Sequence, residues 1–168
     1  MRLADDIFDV WAFRRRPEGT VFLLLHTSAE KAERFFNGGR FWQIPCGRVG
    51  DGEAVTDAIN RELGSFGLRS KTIWAAEHAY VIYNRRFEEM QAIGVFAAEV
   101  EAADVVLDPT EHSEARWLSL DECLKRVHYR GLKEGLRSVD EYVTGARTPA
   151  PELCLYEAAF DGGAARGE

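Results

Sequence analysis

The chain has 168 residues, 46% of them hydrophobic, which is enough for one well-packed domain and too few to argue for two. A formal charge of -7 and a pI near 5.2 exclude long-range attraction to nucleic-acid backbones or anionic membranes, so neither bulk nucleic acid nor a membrane is an expected partner. Cys46, Cys123 and Cys154 are odd in number and far apart, no apolar run reaches membrane-spanning length, and Asp5 and Asp6 stand where a signal peptide would be apolar; an unprocessed cytoplasmic protein is therefore expected.

Residues 7–14 and 21–26 read as two strands of a hairpin, joined by the turn Pro17-Glu18-Gly19, with Val21-Phe22-Leu23-Leu24-Leu25 as a buried run. Residues 28–39 are polar, with a short helical stretch around Glu30 to Arg34, and form a loop placed to border a site. From 53 to 66, Val55, Ala58, Ile59, Leu63 and Phe66 recur at helical spacing and predict a helix with one core-facing stripe, which Gly67 is placed to end. Residues 74–83 and 90–100 read as a second hairpin around the polar turn 84–89. Residues 115–118 read as a short strand, and Ser119 with Glu122 three residues on has the spacing of a helix-capping box. Leu124, Val127, Leu132, Leu136, Val139 and Tyr142 then predict one or two helices, so that residues 1–145 form the domain. Residues 146–168, with Pro149, Pro151 and a Gly/Ala-rich end, read as an irregular, partly disordered tail.

The most specific feature is the run from Phe41 to Leu68. Gly47 is followed after five residues by Glu53, and seven residues later by Arg61-Glu62-Leu63. This spacing resembles the Nudix box, in which Gly, five residues, Glu, seven residues and Arg-Glu-aliphatic are followed by one residue, Glu-Glu, one residue and Gly-aliphatic. The continuation here, Gly64-Ser65-Phe66-Gly67-Leu68, is one residue short and carries neither glutamate of that pair. Cys46 stands where the family usually has the first of two glycines, and Gly50 where it often has an acid.

The resemblance implies an α+β fold, a Nudix α/β/α sandwich with a mixed β-sheet and a box helix. It also implies metal-dependent pyrophosphate hydrolysis of a nucleoside triphosphate or nucleoside diphosphate derivative, assisted by Mg2+ or Mn2+. Hard divalent cations need oxygen ligands, and carboxylates three and four apart on a helix project to one side and share an ion. Of the box glutamates that supply them only Glu62 remains. Glu111, in Glu111-His112-Ser113-Glu114-Ala115-Arg116-Trp117-Leu118, resembles the family's further ligand or base, so Glu62 and Glu111 are the expected catalytic and metal-binding residues. Gly47, Gly52, Glu53, Arg61 and Gly67 are expected to shape and brace the box, with Glu53, Asp57 and Arg61 along one stripe. Arg40 and Arg48, with Arg85 and Arg86, are candidates for phosphate contacts, and Trp42 for stacking on a base. Cys46 is expected to be buried and inert.

With two metal-binding glutamates absent, the expected activity is weakened. The alternative is a catalytically inactive Nudix module that binds a nucleotide or a protein partner. Self-association into a homodimer is compatible with either reading.

Overall fold

The structure is a computed structural model that describes residues 1–159. Its centre is a mixed sheet. Strand β1 (Leu3–Arg16) runs antiparallel to β2 (Gly19–Thr27), as the hairpin reading predicts, and parallel to β6 (Glu89–Val100) on its other side. β6 pairs antiparallel with β5 (Ser70–Asn84), the second expected hairpin. Two short strands in the stretch between hairpin and helix, β3 (Trp42–Gln43) and β4 (Cys46–Arg48), pair with β2 and β1. β7 (His112–Ser119) also pairs with β2 and begins three residues earlier than the apolar pattern alone suggests.

Period-two alternation in β1 builds two cores from one strand. Phe8, Val10 and Ala12 face a cluster covered by helix α2 (Val55–Ser65), which contributes Ala58, Ile59 and Leu63. Trp11 and Phe13 face the opposite cluster, closed by α3 (Leu120–Arg126) and α4 (Arg130–Val139) through Cys123, Leu132, Leu136 and Val139. Helices on both faces of a mixed sheet make the expected α/β/α sandwich. The end of α2 follows the sequence reading: Phe66 is buried against the core and Gly67 adopts φ +73. Ser119 accepts a hydrogen bond from the Glu122 amide and caps α3.

The polar stretch after β2 contains the expected short helix, α1 (Ala29–Phe35), extended by a residue at either end, and its N-cap Ser28 accepts from the Lys31 amide at 3.0 Å. One segment differs from the sequence reading. The expected irregular tail is ordered in its first part: a 3-10 turn (Pro151–Leu153) leads into β8 (Cys154–Glu157), which pairs with β5 from Thr72 to Trp74. An edge strand offers unpaired backbone donors and acceptors, and that template lies far away in sequence. The rest of the tail reading, residues 160–168, falls outside the described residues. No described helix is long and apolar enough to cross a membrane.

α4 lies close to the sheet because it presents no side chain at Gly131. A Cβ there would sit 2.2 Å from the ring of Tyr80, and that ring is held by a hydrogen bond from its hydroxyl to Asp9. Gly131→Ala should therefore destabilise the fold by about 1–3 kcal/mol through overpacking, although alanine in a helix is otherwise favoured by about 1 kcal/mol. Urea denaturation of the variant tests this; a gain in stability would show that α4 can move aside.

Candidate functional site

The box loop, the C-terminal turn of α2, α1, the β5–β6 turn and the loop before β7 enclose a cleft of about 540 Å³. Glu62 and Glu111, 49 positions apart in the sequence, both line it, together with Arg48, Lys31 and Arg86. The charges of the two carboxylates are close enough for that of Glu111 to raise the pKa of Glu62.

Glu62 reaches the cleft because Gly47 makes room. A Cβ at position 47 would lie 2.9 Å from the Phe8 ring and 3.4 Å from Glu62 Oε2. The loop is braced by Arg61, which donates from Nε and Nη2 to the two oxygens of Glu53, both at 3.0 Å, and from Nη2 to the Arg48 carbonyl at 2.9 Å. Glu53 also accepts from the Gly50 amide at 2.8 Å, and Gly52 takes φ +71 in the turn between them. Asp57, on the same stripe, makes no ion pair among the described residues. Because this brace fixes the backbone that carries Gly47, Arg61→Ala should lower whatever activity the cleft has by about tenfold while the exposed pair contributes little to stability. Turnover and melting temperature measured together test this; a collapse of both would make Arg61 a folding residue.

The two glutamates have opposite environments. Glu111 accepts from Lys31 Nζ at 2.8 Å and from both terminal nitrogens of Arg86 at 3.2 and 3.3 Å. Burial alone would raise its pKa, but the hydrogen bonds and charges of Lys31 and Arg86 outweigh it and hold the carboxyl at about 2. Glu62 has no hydrogen bond or ion pair to its carboxylate among the described residues. Burial raises its pKa above the ordinary value, against the lowering effect of Arg61. His112, on the same wall, is pushed down to about 4 by burial and the nearby Lys31 charge, so its imidazole is neutral at neutral pH.

The other predicted contact residues divide. Arg48 lines the cleft and is paired with Asp6 at 3.1 Å and with Glu89. Arg86, one of several loop arginines in the sequence, is there too, and Phe35 lies under its guanidinium at 4.4 Å from the ring centroid. Arg40 and Trp42 are not among the residues that line this cleft. Arg40 donates to the Thr27 carbonyl at 3.0 Å and to Ser113 Oγ at 2.5 Å, tying β2 to β7. Trp42 stacks on His26 with centroids 4.5 Å apart and lies under Arg116 and Arg126, because its strand turns that face toward the α3 side. Cys46, across from Asp9 in the β4–β1 pair, lines the cleft and is exposed, which corrects the expectation of burial. Lys31 was absent from the sequence candidates, its only signal being a position on the loop bordering the box.

The divalent cation implied by the box meets a partial fit. No group of three or more His, Cys, Asp or Glu side chains that could hold a metal occurs among the described residues. Ser65 and Phe66 follow Glu62 on the cleft wall where the pattern has acids, and Glu111 is already engaged by two cations. Glu62, half-buried and unpaired, fits one ion whose remaining ligands come from phosphate and water.

A search of protein families matches the NUDIX domain over residues 7–139. Among curated proteins, an octanoyltransferase of Myxococcus xanthus is 31% identical over 126 residues; the match takes in 73% of this chain and 33% of the relative, so the chain spans about a third of that protein. Among solved structures, a candidate NUDIX hydrolase of Listeria monocytogenes superposes with a TM-score of 0.69 at 20% identity, covering 86% of this chain and 97% of that one. The C. elegans Ap4A hydrolase gives 0.61 at 18% identity, with 85% and 99% covered. The structural likenesses show the fold, and the family match over most of the sequence shows descent: this chain belongs to the NUDIX domain family.

Proposed function

We propose that the cleft receives the pyrophosphate group of a nucleotide, together with a divalent cation, and hydrolyses an anhydride bond slowly. The observation that carries this reading is the convergence of an unpaired Glu62 with Lys31, Arg48 and Arg86 in one cleft beside a braced box loop. Glu62 is the residue that would hold the ion. Mg2+ or Mn2+, when bound, supplies neutralisation of phosphate charge and a more acidic water. Lys31 and Arg86 stand ready for phosphate oxygens that the ion does not reach, and Arg48 for the next phosphate.

Glu111 takes a different role from the one its sequence position suggests. A carboxylate held ionised down to about 2 has little proton affinity at neutral pH and is a poor general base. Its work is to hold Lys31 and Arg86 in place. The substrate class, a nucleoside triphosphate, a nucleoside diphosphate derivative or a dinucleoside polyphosphate, is supported by the family and by the fold shared with the C. elegans Ap4A hydrolase.

The second reading is a module that binds such a nucleotide without turnover, and Ser65 and Phe66 at the box positions favour it. Release of phosphate or nucleotide from a panel of these substrates, with Mg2+, with Mn2+ and with chelator, separates the two. Slow metal-dependent release supports hydrolysis. Binding of a panel member without release in any condition moves the assignment to the non-catalytic module.

A further inference from the structure

We propose that Lys31 and Arg86 form a built-in cation at Glu111, taking the place that a second metal ion would fill. The charges are equivalent: a carboxylate with a divalent ion carries a net +1, and so does a carboxylate with one ammonium and one guanidinium. The arrangement is fixed by the fold and not left to solvent. Lys31 is buried, with its side chain 9% exposed, and its helix is tied to the Glu111 loop by the Ser28 amide on the Glu111 carbonyl at 3.0 Å and Ser28 Oγ on the Thr110 carbonyl at 2.6 Å. That loop is itself closed by Asp108, which accepts from the Thr110 amide at 2.9 Å through its side chain and from the Glu111 amide at 3.0 Å through its carbonyl.

Arg86 comes from the β5–β6 turn, its guanidinium lying over the ring of Phe35 at the end of the same helix. A fixed ammonium is not removed by a chelator and is placed before any ligand arrives. The consequence is a cleft that carries one exchangeable ion at Glu62 and one permanent cationic site at Glu111. This deepens the pyrophosphate reading and rests on it for the role of the cations toward substrate; the exclusion of metal from Glu111 stands independently.

Mn2+ binding to the nucleotide-free protein, read by the loss of the free-ion electron paramagnetic resonance signal, tests it. The double variant Lys31→Met, Arg86→Gln should bind Mn2+ at least about tenfold more tightly than wild type, and adding Glu111→Gln should abolish the gain. Lys31→Arg should behave as wild type, and Arg86→Gln alone, whose side chain is only partly buried, should give a smaller gain in the same direction. A double variant that melts cooperatively yet binds Mn2+ no better than wild type would overturn the inference, as would an unchanged affinity in Arg86→Gln if the double variant does not fold. Failure of every nucleotide to be cleaved would count against the pyrophosphate reading alone, because this titration contains no nucleotide.

Discussion

Glu62→Gln is expected to reduce metal-dependent turnover by about 100-fold, the upper end of the effect of losing support for a bound ion. The substitution keeps the shape of the side chain and removes only its charge. In the wild type that charge is half-buried and unpaired, with its pKa raised by burial, so the ionised group costs the fold stability at neutral pH. The variant should therefore melt no lower than wild type. Loss of activity with unchanged or higher melting temperature identifies a residue retained for chemistry. Equal loss of both would make Glu62 a structural residue. Unchanged turnover would place any hydrolysis elsewhere or in a contaminant.

The second large effect concerns stability and pH. Asp9 is buried on the face opposite α2, where burial raises its pKa to about 6 and the hydrogen bond from Tyr80 lowers it only in part. The ordinary carboxyl value, 3.8, applies to the unfolded chain. The folded state thus binds the proton more tightly, which makes the sign opposite to that of an ion-paired carboxylate. The penalty is absent below about pH 4, grows as the pH rises through 6 and is complete above it. Two pKa units correspond to about 3 kcal/mol. Asp9→Asn cannot ionise and can still accept from Tyr80, so above pH 7 it should be more stable than wild type by about 3 kcal/mol, a rise in melting temperature on the order of 10 °C. The difference should vanish near pH 4. Urea denaturation of both proteins from pH 4 to 8 measures it; a difference independent of pH would show that Asp9 is not protonated on folding.

The parts of this molecule that local spacing determines were legible in the sequence. The box helix, its stop at Gly67, the cap at Ser119 and the two hairpins all follow from side chains within a few positions of one another. The brace from Arg61 to Glu53 belongs to the same class, since one helix and its preceding loop contain both ends. Ordering of Cys154–Glu157 did not follow, because a four-residue strand has no period of its own and is recruited by the free edge of β5. β3 and β4 were missed for the same reason, being two and three residues long.

The site was half legible. The resemblance named Glu62 and Glu111, and both line the cleft. What surrounds Glu111 was hidden: the short helix that carries Lys31 was legible but not the long-range contact of its lysine, and Arg86 comes from a turn where arginines are usually solvated. Arg40 and Trp42 were drawn toward the site by proximity to the box, but Arg40 is engaged in bracing β2 to β7, and the two-residue strand of Trp42 turns its ring to the α3 side, where it packs. Side-chain direction in a two-residue strand depends on the partner strand, which no local pattern reports.

The most direct measurement is amide NMR of the protein with a Mn2+ nucleoside diphosphate complex, using the Mg2+ complex as the diamagnetic reference. The account predicts selective line broadening centred on Gly47, Glu62 and Ser65, reduced at least tenfold in Glu62→Gln. Broadening centred elsewhere, or equal in the two proteins, would contradict a nucleotide-bound ion at Glu62.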